Sequence, residues 1–143
     1  MDDPYDLARY LRAQEPVFAQ VCAELAAGRK QSHWMWFIFP QLRGLGSSPM
    51  ADRYAIGSLA EARAYLAQPL LAERLRACTQ LVNRVEGRTV QAIFGYPDYL
   101  KFRSCMTLFA RAATGGAEPF GEAIAKYFAG EEDPLTRELL AMD

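Results

Sequence analysis

Proline and glycine recur along the whole sequence and divide it into short segments, most of which place apolar residues at helical spacing. Three segments open with a capping residue followed by proline: Asp3-Pro4, Ser48-Pro49 and Asp133-Pro134. Such pairs favour a helix start, because the cap accepts an amide hydrogen bond and proline loses no bond in the first turn. Other segments end at glycine, as at Gly28, where a left-handed residue stops a helix. The pattern predicts an all-α fold of eight or nine mostly short helices in one domain over residues 1–143.

The longest purely apolar run extends from Trp34 to Pro40 and lies beside His33, the single histidine. A run of this length fits either a buried strand or a buried helix. No other segment resembles a convincing strand, and a lone strand would leave its backbone groups unpaired. We therefore predict a short buried helix that starts at Ser32 as its cap and stops at Pro40.

Composition and charge narrow the classes of function. Hydrophobic residues make up 51% of the chain and charged residues 23%, as in soluble globular proteins. The net charge of −1 lacks the basic excess of nucleic-acid binders, so nucleic acid is not an expected partner. The apolar run is too short to span a bilayer, and the acidic start does not resemble a signal peptide, so we expect no membrane contact and a cytoplasmic location. The cysteines Cys22, Cys78 and Cys105 lack metal-ligand spacing, which predicts buried free thiols and no metal or cofactor.

The segment from Ser32 to Gln41, followed by Gly44-Leu45-Gly46, closely resembles a widespread family of small uncharacterised bacterial proteins. The resemblance continues over residues 98–109, although Tyr99 and Cys105 stand where an acidic residue and a serine are common. It implies an all-helical single domain of about this length and no particular activity. Some family members carry the name calpastatin, but this chain has none of the disordered, charged repeats of a calpain inhibitor.

The loop that contains Arg43, Gly44, Gly46 and Ser47 is a candidate anion site. Glycine lets backbone N–H groups approach a phosphate closely, and a helix start at Pro49 would add its positive end. The loop lacks the third glycine and the lysine of the familiar nucleotide-binding loops. A plain connection with a helix start is the alternative.

A polar strip of Asp98, Lys101, Ser104 and Thr107 crosses an otherwise apolar helical segment. The spacing brings Asp98 and Lys101 together, and mid-helix hydroxyls are mildly unfavourable unless they bond to something. His33 can act as acid or base near neutrality, so we predict a catalytic group of His33, Lys101 and Asp98, with Ser104 and Thr107 as ligand contacts. The alternatives are a solvated helix start and a histidine bonded to a backbone carbonyl.

The aromatic run adds Trp34, Trp36 and Gln41 to the predicted ligand site, with a tryptophan forming a wall of the pocket. Core packing is the alternative for these rings. Two hypotheses follow for the protein. It binds or acts on a small anionic, phosphate-bearing or nucleotide-like ligand near His33 and residues 44–48, or it is a non-catalytic module that binds a protein partner.

Overall fold

Ten α-helices and one isolated β-bridge form the regular structure of residues 2–142, the part of the chain that this computed structural model describes. The helices are α1 (Ala8–Gln14), α2 (Phe18–Ala26), α3 (Met35–Ile38), α4 (Pro49–Arg53), α5 (Leu59–Ala67), α6 (Pro69–Asn83), α7 (Val90–Phe94), α8 (Asp98–Ala112), α9 (Phe120–Phe128) and α10 (Pro134–Ala141). The predicted all-α class is confirmed for these residues, with slightly more helices than expected. No helix among them is long and apolar enough to cross a membrane.

Capping side chains set the start of several helices. Ser48 and Asp133 each accept an amide hydrogen bond from the third residue of the helix that follows, at 3.1 and 2.9 Å, as predicted. Each bond satisfies one of the N–H groups that a helix N-terminus leaves unpaired. The carboxylate of Asp3 accepts the amides of Leu7 and Ala8 at 2.8 and 3.0 Å, so it supports a helix that begins later than the predicted start after Asp3.

The helix predicted from Ser32 to Pro40 is shorter than expected, because α3 covers only Met35–Ile38 and has Trp34 at its N-cap position. Ser32 does not act as a cap. Its amide and its hydroxyl both donate to the carboxylate of Glu24 on α2, at 3.0 and 2.5 Å. A carboxylate on a neighbouring helix therefore holds this serine in the bend that leads to α3.

The core forms around α8, which packs against α5, α7, α9 and α10. Phe102 of α8 stacks on Phe94 with 4.7 Å between ring centroids and meets Phe39 edge to face at 5.0 Å. Both are preferred arrangements of aromatic pairs. Most of α8 from Phe102 onward is buried, whereas its first turns and Arg111 near its end reach the surface with polar side chains.

The loop before α4 is pinned at its base by the bridge between Leu42 and Ile56. The amide of Arg43 donates to the carbonyl of Ile56 at 2.7 Å, and the amide of Ile56 donates to the carbonyl of Gln41 at 3.0 Å. At the top of the loop, a Cβ atom on Gly46 would lie only 2.6 Å from the Cβ of Ala51. Glycine is needed there because the loop lies directly against α4.

Candidate functional site

A surface cleft of about 460 Å³ opens between the start of α8, residues 45–48 and the start of α10. We call it the α8 cleft. Its polar lining consists of Gln41, Ser47, Ser48, Lys101, Ser104 and Asp133. Its remaining lining consists of Leu45, Gly46, Ala51, Pro97, Leu100 and Leu135. The size falls within the range of about 300–1,000 Å³ that small-molecule sites occupy.

Two lysines share one carboxylate at the edge of this cleft. Asp98 Oδ2 lies 3.0 Å from Lys30 Nζ, and Asp98 Oδ1 lies 3.4 Å from Lys101 Nζ. The Lys30 ammonium also donates to the carbonyl of Ser32 at 2.6 Å. The Lys101 ammonium lies 5.7 Å from the ring centroid of Trp36 and lines the cleft. The group of two lysines and one aspartate therefore carries one surplus positive charge.

Two hydroxyls of α8 that were predicted to contact a ligand differ in their placement. Ser104 donates to the carbonyl of Leu100 at 3.2 Å and lines the cleft. Thr107 is fully buried, donates to the carbonyl of Arg103 at 2.9 Å and accepts the amide of Asp133 at 2.9 Å. Because Asp133 directly precedes α10, Thr107 positions that helix and is covered by it, away from the ligand space.

The structure also separates the two tryptophans. Trp34 is 1% exposed and donates its indole N–H to Glu24 at 3.0 Å. It therefore lies in the core and does not form the pocket wall that the sequence predicted. Trp36 is half-buried and lines a very small cavity of about 10 Å³ together with Gln41 and Lys101. That cavity adjoins the α8 cleft, so Trp36 lies behind the cleft wall.

His33 is exposed and does not line the α8 cleft. Of the predicted catalytic group, only Asp98 and Lys101 are in contact. His33 does not join Lys101 in the lining of the α8 cleft, because its neighbours Ser32 and Trp34 both donate hydrogen bonds to Glu24 on α2.

The residues of the predicted anion loop line two separate cavities. Gly46 and Ser47 line the α8 cleft, whereas Arg43 lines a separate cavity of about 250 Å³ near Leu139. Gly44 causes the division, since its φ of +102° turns the chain between Arg43 and Gly46. The guanidinium of Arg43 therefore does not line the α8 cleft with Gly46 and Ser47.

Sequence reasoning missed Glu24, which is 4% exposed and accepts hydrogen bonds from five donor groups. The signal was present in α2. Val21 and Leu25 mark the buried face of this helix, and Glu24 lies on that face. A carboxylate at such a position needs partners, because burying an unpaired charge is costly.

The fold and the cleft together define a small all-α protein with a mixed polar and apolar cleft beside its central helix. The chain belongs to a family described as "Protein of unknown function (DUF1810)", whose model matches residues 4–140. This agrees with the resemblance to a family of uncharacterised proteins.

The chain is also similar to a solved structure, the conserved hypothetical protein Rv1873 from Mycobacterium tuberculosis at 1.38 Å. The two chains are 59% identical with a TM-score of 0.95, over 97% of this chain and 99% of the other. A search of curated proteins gives no match. Within residues 2–142, no group of three or more His, Cys, Asp and Glu side chains is arranged to hold a metal ion.

Proposed function

We propose that this protein binds a small anionic ligand in the α8 cleft. The observation that carries the proposal is the shared carboxylate of Asp98, which faces two ammonium groups and can neutralise only one of them. Lys101, the lysine that lines the cleft, has a side chain that is 26% exposed, so a ligand can reach it. An ammonium beside low-dielectric walls attracts an anion more strongly than one in bulk water.

The other polar groups of the cleft suit binding. The side chain of Gln41 lies on the same lining as Lys101 and can donate hydrogen bonds, whereas the Ser104 hydroxyl on that lining donates to the carbonyl of Leu100. Residues 47–48 add two further hydroxyls at the opposite wall. An anion held by Lys101 would have several hydrogen-bond donors around it.

The proposal assigns binding and no reaction. Asp98 and Lys101 are paired with each other, and the titratable imidazole of His33 lies outside the cleft. A general acid or base must reach the reacting atoms to act on them. The geometry therefore supports a binding role for Lys101, whose positive charge is neutralised only in part because Asp98 also pairs with Lys30.

The direct test is a titration of the isotope-labelled full chain with inorganic phosphate and with acetate, followed by amide chemical shifts. Sodium chloride keeps the ionic strength constant. We expect saturable shifts at residues 45–48 and around Lys101 and Ser104. Lys101→Met should weaken the affinity at least tenfold. Arg12→Met, which removes one positive charge from a side chain that is 69% exposed, should leave it unchanged.

The proposal fails if neither anion produces saturable shifts in the cleft. It also fails if Lys101→Met binds as the parent chain does while its spectrum remains that of a folded protein. Equal losses in Lys101→Met and Arg12→Met would indicate general charge attraction, without a site.

A protein-binding role is the second candidate, and one observation favours it. Tyr96 is 80% exposed and precedes the cleft residue Pro97 without lining the cleft. Contiguous exposed apolar surface marks partner contacts, and the Tyr96 ring lies beside that of Tyr99 with 6.3 Å between ring centroids. A small-ligand role predicts that Tyr96→Ser leaves the affinity for the anion unchanged.

A further inference from the structure

We infer that the ligand of the α8 cleft is a singly charged aliphatic acid, whose carboxylate pairs with Lys101 and whose chain packs against Leu100 and Leu135. This inference rests on the proposed function and names its ligand class. It replaces the phosphate-bearing or nucleotide-like ligand that the sequence favoured.

The first argument is the apolar lining. Leu100 on α8 is 40% exposed and Leu135 on α10 is 58% exposed, and both line the same cleft. Leu45 and Ala51 add apolar surface from the loop and from α4. Contact with a hydrocarbon chain would remove these leucines from water, which is favourable in proportion to the area covered.

The second argument is the lack of an aromatic platform. No aromatic side chain of residues 2–142 lines the α8 cleft. Trp34 is in the core, and Trp36 faces a cavity of about 10 Å³, too small for a second ring. Nucleobases are commonly held by stacking on aromatic side chains. The cleft offers an aliphatic surface instead.

The third argument is charge. Asp133 lines the cleft with a carboxylate that caps α10, where Oδ2 accepts the amide of Thr136 at 2.9 Å. The group of Lys30, Lys101 and Asp98 has one positive charge in surplus, which a single carboxylate neutralises. A phosphate ester would bring about two negative charges next to the Asp133 carboxylate, whereas a carboxylic acid brings one. Like-charge repulsion therefore favours the singly charged ligand.

The test compares acetate, butanoate and octanoate with inorganic phosphate and adenosine monophosphate on the full chain, by calorimetry at matched ionic strength. We expect affinity to rise at least twofold for each added methylene, against a limit of about fourfold for complete burial. Octanol, which has the same chain and no charge, should bind more weakly than octanoate.

Three variants localise the two ends of the ligand. Lys101→Met should weaken binding of all three acids and abolish the advantage of octanoate over octanol. Leu135→Ser should weaken octanoate at least threefold and leave acetate unchanged. Leu70→Ser is the matched control, since Leu70 is 38% exposed on α6 and does not line the cleft.

The outcomes separate this inference from the proposed function. Phosphate or adenosine monophosphate binding that depends on Lys101, with no length dependence among the acids, overturns the inference and leaves the proposed function standing. Equal losses of octanoate affinity in Leu135→Ser and Leu70→Ser also overturn it, because binding would then be nonspecific. If no anion binds, both fail.

Discussion

The carboxylate of Glu24 accepts the indole N–H of Trp34 at 3.0 Å. The amides of Gln31 and Ser32 donate to the same carboxylate at 2.7 and 3.0 Å. Burial by itself raises the pKa of Glu24, but the hydrogen bonds from Ser32, Gln31 and Gln20 outweigh burial and lower the pKa to about 2. One buried side chain of α2 thus holds the whole approach to α3.

We predict that Glu24 makes folding sensitive to acid. Because its pKa in the folded chain lies below its ordinary value of 4.5, the contribution of Glu24 to stability is complete above about pH 4.5 and is lost as the pH falls toward 2. Linkage gives about 3 kcal/mol of unfolding free energy at neutral pH. Glu24→Gln should lose about this amount at pH 7 and show a flatter decline in acid, measured by urea unfolding from pH 7 to pH 2.5.

Glu73→Gln is the control for this prediction, since Glu73 is exposed on α6. It should follow the parent chain at every pH. If Glu24→Gln declined in acid as steeply as the parent, the acid sensitivity would come from other carboxylates, and the network at Glu24 would not be its source.

The same network shows which parts of the fold a sequence can predict. The helix starts at Ser48 and Asp133 were predicted correctly because a cap bonds to an amide three residues away in its own helix. The start at Ser32 was predicted wrongly although its local chemistry is similar. Glu24, on another helix, takes both the amide and the hydroxyl of Ser32, and that competition depends on tertiary packing.

The candidate site divides in the same way. The contact between Asp98 and Lys101 follows from their spacing on one helix, whereas the contact of Asp98 with Lys30 joins distant segments. The spacing that placed Thr107 with Ser104 gave no indication that the segment before α10 would cover Thr107. Sequence identifies such polar residues, but the packing of neighbouring helices decides which of them reach the cleft.

We predict that Gly46→Ala destabilises the chain by about 1–3 kcal/mol, because the new methyl group would lie 2.6 Å from the Cβ of Ala51 and force the loop away from α4. Gly115→Ala is the matched control. A Cβ atom on Gly115 meets nothing within 4 Å, so this change should be neutral or slightly stabilising. Thermal or urea unfolding of both variants measures the difference, and equal stabilities would contradict the close approach at Gly46.

We predict that only one of the three cysteines reacts with iodoacetamide while the chain is folded. Burial raises the pKa of the thiols of Cys78 and Cys105, and both side chains are fully buried. Cys22 is partly exposed, although burial also raises its pKa. Because the thiolate is the reactive form, labelling at pH 8 should be slow and confined to Cys22.

Mass spectrometry of the intact chain checks this result. The native protein should gain at most one adduct, Cys22→Ser should gain none, and the urea-unfolded chain should gain three. An adduct on Cys105 in the absence of urea would show that α8 opens to solvent without global unfolding, which the packing around Phe102 and Phe109 contradicts.

The last prediction concerns Asp98 and tests the charge argument for the cleft. Asp98→Asn removes the carboxylate that lies 3.0 Å from Lys30 Nζ and 3.4 Å from Lys101 Nζ, so both ammonium groups lose their partner. The melting temperature should fall, because the Lys30 side chain is only 8% exposed and an unpaired buried charge is costly. The affinity for acetate or phosphate should rise several-fold in low salt, since loss of the carboxylate raises the surplus positive charge of this group from one to two.

Salt dependence distinguishes this account from a simple change in structure. This gain in affinity should shrink in about 0.5 M sodium chloride, where screening limits the interaction between charges to a few ångströms. Asp6→Asn, which removes an exposed carboxylate near the N-terminus, is the control and should leave the anion affinity unchanged. If Asp98→Asn weakened anion binding at every salt concentration, the ammonium of Lys101 would depend on Asp98 for its position more than for its charge balance. The surplus charge would then not be what attracts the ligand.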